Sequence, residues 1–86
     1  MRQRFEGRSL PDIDLRKVVE SVRQRYALPI PSKVLMADYD EEEGDLYVRF
    51  RESRRTSGTP TDDGLVIVHR DGKGIASIEI LGVAQL

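Results

Sequence analysis

Apolar residues recur along this chain with two different periods, and the switch between them divides it. Leu15, Val18, Val19, Val22 and Tyr26 fall at i, i+3, i+4, i+7 and i+11. That spacing gathers them into one stripe of an α-helix, with Arg16, Lys17, Glu20, Arg23 and Gln24 on the other side. Upstream, Ser9-Leu10-Pro11-Asp12 reads as the helix start. Ser9 is a competent N-cap with Asp12 as its acidic partner three residues on; Asp12 as the cap is an equal alternative. Ile13 extends the apolar set at the first turn. Asp12 and Asp14 at the start and Arg23 and Arg25 at the end match the helix dipole, and Pro29 and Pro31 stop the helix. The helix is predicted over 9–27. Residues 1–8 lack apolar periodicity, carry Arg2, Arg4 and Arg8, and read as a basic arm, frayed or a short lead-in.

From residue 33 to 81 the period shortens to two. Val34–Tyr39 predicts a first strand, and Glu41-Glu42-Glu43-Gly44 a turn closed by a glycine free to go left-handed. Leu46–Arg51 alternates most cleanly, with Leu46, Val48 and Phe50 against Tyr47, Arg49 and Arg51. Residues 52–64 are polar and form a long connector that admits a short edge strand near Arg55–Thr59. Leu65–His69 is the next strand, Asp71-Gly72 a hairpin turn, and Ile75–Leu81 the last strand, with Ala76, Ile78 and Ile80 against Ser77 and Glu79.

An amphipathic helix of four turns needs a surface to cover. The pattern therefore predicts one α+β domain over residues 1–86. In it, an N-terminal amphipathic helix packs on one face of a four- to five-stranded antiparallel β-meander, with Leu46, Val48, Phe50, Ile78 and Ile80 at the core. The opposite face keeps Tyr47 and one set of the Leu65–Val68 run, an apolar remainder suited to a dimer or a protein partner.

Composition narrows the function. At 38% hydrophobic and 34% charged the chain is in the folded range. It has no cysteine, which removes disulfides and thiolate chemistry and suits the cytoplasm. Its start lacks the apolar run of a signal peptide, and no apolar stretch is long enough to span a bilayer. Residues 1–33 hold eight Arg/Lys against four Asp/Glu, a net of +4; residues 34–86 hold six against eleven, a net of −5, and together they return the −1 of the whole chain. A basic first third can serve its own acidic sheet or a polyanion.

Catalytic readings find little footing. The acidic run Asp38–Asp45 fails as a calcium loop, since the sixth and twelfth positions counted from Asp38 are Glu43 and Arg49 rather than Gly and Glu. His69 is the only histidine, which excludes a three-histidine zinc site; Ser77 is its one candidate nucleophile, and no nucleophile elbow accompanies it. Asp71-Gly72-Lys73-Gly74 joins two strands, where a phosphate loop runs into a helix. The arginines carry more weight. Tyr47, Arg49, Arg51, Arg54 and Arg55, with Arg16 and Arg23 on the helix, form the candidate surface for a partner or for phosphate, because guanidinium groups suit phosphate and Tyr47 offers a stacking face.

Several of these segments carry a resemblance. Asp38-Tyr39-Asp40, Asp45-Leu46-Tyr47-Val48-Arg49, Leu65-Val66-Ile67-Val68, Asp71-Gly72 and Ile78-Glu79-Ile80-Leu81 follow in the order and spacing of DUF 2283, a small prokaryotic family of unknown function. Residues 34–81 resemble it, which implies a short β-meander domain and, from the partners of some members, an antitoxin-like role. His69-Arg70 stands where the family usually has an acidic pair, and the helix lies outside the family core. The expectation is a non-enzymatic interaction module without a cofactor, acting as a homo-oligomer or with a small protein partner. Nucleic-acid binding by the basic N-terminal third is the alternative, and no membrane association is expected.

Overall fold

The computed structural model describes residues 2–5, as backbone, and residues 14–83. In chain order the elements are β1 (Arg2–Phe5), α1 (Leu15–Tyr26), β2 (Met36–Asp40), β3 (Asp45–Arg49), β4 (Ser57–Pro60), β5 (Val66–Asp71) and β6 (Gly74–Leu81). They make an α+β fold in which α1 covers one face of a six-stranded antiparallel sheet of order β1-β2-β3-β6-β5-β4.

Strand register explains the core. Tyr39, Leu46, Ile80 and Val66 are successive cross-strand neighbours, as are Ala37, Val48, Ile78 and Val68. These two rows lie on the face that meets the helix. Leu46, Val48, Val66, Ile78 and Ile80 are wholly buried against Leu15, Val19 and Val22 of α1, while Val18 and Tyr26 pack at the margin. The expected stripe is the buried stripe. After the helix Ala27 takes the left-handed region at φ 53°, a position glycine usually fills, and its N–H reaches the Arg23 carbonyl. Arg23 then donates to the Ile30 and Pro31 carbonyls, at 3.0 Å and 3.3 Å from Nη2, drawing Ile30 back into the core.

Three expectations need correction. First, part of the basic arm is no frayed lead-in: Arg2–Phe5 is an edge strand, with Arg2 opposite Asp40 and Arg4 opposite Asp38. A four-residue edge strand has no alternation to betray it; the open edge of β2 supplies its pairing. Second, the helix opens at Leu15, behind a strand, and Asp14 is its cap. Asp14 is extended and its carboxylate accepts the Lys17 N–H at 3.4 Å, so Arg16 begins within the first turn. The proposed start at Ser9-Leu10-Pro11-Asp12 and the contribution of Ile13 lie outside the described residues. Third, the sheet is two three-stranded meanders joined side by side, because β3 pairs with β6 and the following connector carries the chain to the far edge. The short edge strand foreseen in that connector is β4.

A polar staple fixes the far edge to the helix. The Asp63 carboxylate accepts from the Tyr26 hydroxyl at 2.7 Å, the Thr61 hydroxyl at 2.8 Å, the Leu65 N–H at 3.0 Å and Arg25 Nη2 at 3.2 Å. One side chain thus joins the last turn of α1 to the β4–β5 turn.

The buried rows make a direct prediction. Leu46→Ala should lower the unfolding free energy by about 2–5 kcal/mol. Leu35→Ala, at a side chain left 52% exposed, should change it by no more than about 0.5 kcal/mol. Urea denaturation of both variants checks this, and equal losses would place the core elsewhere.

Candidate functional site

The sheet face away from α1 is covered by no other described element. Its central row runs Asp38, Tyr47, Glu79, Ile67, Pro60, and the next row runs Met36, Arg49, Ser77, His69, Gly58. On the other flank Asp40, Asp45 and Leu81 stand in line. The face is therefore basic along one flank, acidic along the other, and half apolar through the middle at Tyr47 and Ile67, both half-buried.

Period two put Tyr47 and Arg49 on one face, and the fold sets them side by side. The Arg49 guanidinium lies 5.6 Å from the Tyr47 ring centroid and pairs with Glu52 at 3.3 Å. Ser77 was expected on the wet side, and it is on the uncovered face, yet it is 4% exposed. Its small side chain sits between the long Arg49 and His69 in the cross-strand row. His69 Nε2 turns toward Glu79 at 3.6 Å and makes no hydrogen bond among the described residues. The ring lies against Gly58: a Cβ there would come within 3.0 Å of His69 Cε1, so β4 carries a glycine where it crosses the imidazole.

The other candidate arginines divide by role. Arg51 is structural, gripping both carboxylate oxygens of Asp71 with its two terminal nitrogens and reaching the Gly74 carbonyl at 3.3 Å. Together with the Phe50 N–H, which donates to the Ala76 carbonyl at 2.8 Å, it pins the exit of β3 to the β5–β6 hairpin. Arg23 is consumed by Glu20 and by the carbonyls after the helix. Arg16 is exposed on the helix, across the sheet from Tyr47. Arg54 and Arg55 are exposed in the connector and share a groove with Arg70. The seven residues do not make one surface. Arg70, Glu79 and His69 join the picture only through strand pairing.

The acidic turn also has a local explanation. Asp40 Oδ1 accepts the Glu42 and Glu43 N–H groups at 3.1 Å and 3.3 Å, and Gly44 closes the turn at φ 72°. Among the described residues no three His, Asp or Glu side chains converge as a metal centre requires, and no helix is long and apolar enough to cross a membrane. Comparison with protein-family models, with curated proteins and with solved structures finds no match for this chain.

Two carboxylates give the structure a pH signature. The Leu65 N–H, then the Tyr26 and Thr61 hydroxyls and Arg25, hold Asp63 well below the usual carboxylate range. The Arg51 grip, with the Lys73 N–H and the Ser53 hydroxyl, does the same for Asp71. Each therefore binds its proton less readily folded than unfolded, where the pKa is about 3.9. As pH falls the unfolded chain protonates first, so the stability they contribute is whole at neutral pH and drains below about pH 5. Urea midpoints between neutral and acid pH should fall in the parent. Asp63→Asn and Asp71→Asn should each start lower and lose less on acidification, whereas parallel curves would show that the two carboxylates do not set the acid limit.

Proposed function

We propose that this domain is a non-enzymatic interaction module that pairs with a second copy of itself through the uncovered sheet face. The observation that carries the reading is the ordering of charge on that face about the Tyr47–Glu79–Ile67 row. A two-fold axis lying along this row turns each flank of one copy onto the opposite flank of the other. Arg49 then meets Asp45 of the second copy, Met36 meets Asp40, and Tyr47 meets Tyr47. The two flanks are complementary across the axis, as an isologous dimer requires, while Asp38 and Glu79, which lie on the axis, meet their own copies. The molecule measures 33 × 26 × 21 Å, so its broad side is of the order of the ~800 Å² per partner that stable interfaces bury.

The resemblance of residues 34–81 to DUF 2283 is carried within the same proposal, as is the antitoxin-like accessory role it implies, in which a small protein takes the place of the second copy. A cytoplasmic setting belongs with it, supported by a core built without cysteine. The alternative, nucleic-acid binding by the basic N-terminal third, has less behind it. Arg16 and Lys17 are exposed, but Arg23 and Arg25 are engaged within the fold.

Light scattering decides between these. The parent should run at twice the monomer mass of 9.8 kDa, and Tyr47→Glu or Ile67→Glu should run as a monomer with an unchanged circular dichroism spectrum. Arg49→Asp should weaken the dimer, and adding Asp45→Arg should restore it. A parent that is monomeric throughout the accessible concentration range removes the second copy as the partner.

A further inference from the structure

A second surface lies at the corner where the connector, β4 and the β5–β6 turn meet. A groove of about 720 Å³ opens there, lined by Arg54, Arg55, Thr56, Ser57, Arg70 and Asp71. The connector supplies the first two arginines. Pairing of β4 with β5 sets Ser57 opposite Arg70 and brings the third arginine to the same corner.

The charge balance of this corner is unusual for the molecule. Arg23, Arg25, Arg49 and Arg51 all hold a carboxylate. Arg54, Arg55 and Arg70 are exposed, and their side chains have neither hydrogen bond nor ion pair among the described residues. The one acid among the described lining residues is already engaged: both Asp71 oxygens accept from Arg51, and Oδ1 also takes the Lys73 N–H at 2.8 Å. Three arginines therefore line one groove whose described acid is already neutralised by Arg51, a local positive potential on a chain whose net charge is −1.

We infer that this groove is a binding site for a phosphomonoester group. A dianionic phosphate offers oxygens that guanidinium groups engage in forked pairs, and the Thr56 and Ser57 hydroxyls are placed to add donors. A longer polyanion fits the page less well. Among the described residues no aromatic side chain lines the groove to stack a base, and residues 34–86, this corner included, carry a net of −5 that repels a run of phosphates. Nor does the β4 edge suit a strand added to it. The Thr61 N–H points inward to the Val66 carbonyl at 2.8 Å, so alternation turns Gly58 and Pro60 outward, and proline has no N–H to give. Recognition thus rests on the phosphate itself, whether on a free small molecule or on a modified protein side chain. The groove uses none of Tyr47, Ile67 or Arg49, so it stands independently of the dimer.

Titration of ¹⁵N-labelled full-length protein with inorganic phosphate, with a phosphoserine peptide and its unphosphorylated form, and with a single-stranded oligonucleotide tests this. Phosphate should shift the Ser57, Arg70 and Gly72 amides saturably. Arg70→Ala, and separately Arg54→Ala with Arg55→Ala, should weaken binding by about tenfold, while Arg16→Ala leaves it unchanged. A phosphopeptide that saturates at much lower concentration than phosphate assigns the site to a modified protein; equal affinity assigns it to free phosphates. The inference is overturned if neither phosphate nor phosphopeptide shifts these amides, if Arg16→Ala weakens binding as much as the groove variants, or if the oligonucleotide binds more tightly with a salt dependence steeper than three phosphates explain. Tyr47→Glu should retain the site, which separates failure here from failure of the dimer.

Discussion

Among the described residues, one short helix covers a sheet of six strands. Twelve residues make a rod about 18 Å long, enough to shade the middle of one face and nothing of the other. A helix of that length does not hold its shape alone in water, and a sheet with Leu46, Val48, Ile78 and Ile80 on one side does not stay apart from other molecules. Each is stable through the other. The fully buried aliphatic side chains of the sheet lie in two cross-strand rows under Leu15, Val19 and Val22, and the opposite face takes what tolerates partial solvent: Tyr47, Arg49, Ile67, Glu79 and His69.

Polar clamps at the margin complete what the thin core leaves undone. Asp63 fastens the helix end to the β4–β5 turn, and Asp71, held by Arg51, fastens the exit of β3 to the hairpin beside it. The second clamp is what allows the chain to leave the middle of the sheet and re-enter at its far edge. It also engages Asp71, the one acid among the described residues that line the corner where Arg54, Arg55 and Arg70 gather, so one ion pair shapes both the topology and the local field. Fold and charge are coupled there.

Much of this was readable from the residues, because the patterns concerned are local. The stripe Leu15 to Tyr26 and the alternation of Leu46, Val48 and Phe50 reflect backbone periods that hold wherever helices and strands form. Asp71-Gly72 marks its hairpin by the same logic. The candidate surface was only half legible. Tyr47 and Arg49 are neighbours by period two, but Arg51, which continues that pattern, is spent on Asp71. Arg70 is distant in sequence from Arg54 and Arg55, and only the pairing of β4 with β5 brings it to them. The edge strand Arg2–Phe5 went unseen for a related reason: its residues have no strand pattern, and its partner is a free edge formed elsewhere.

The sequence by itself determined which residues are apolar on which period, and hence the α+β class, the helix stripe, the core strands and the hairpin. These follow from the geometry of one element at a time. The tertiary structure decided the strand order, the use of Asp14 as the cap, and which arginines are engaged and which are left without counter-charge. Those outcomes depend on distances between residues far apart in the chain, and such distances exist only once the helix has settled on the sheet.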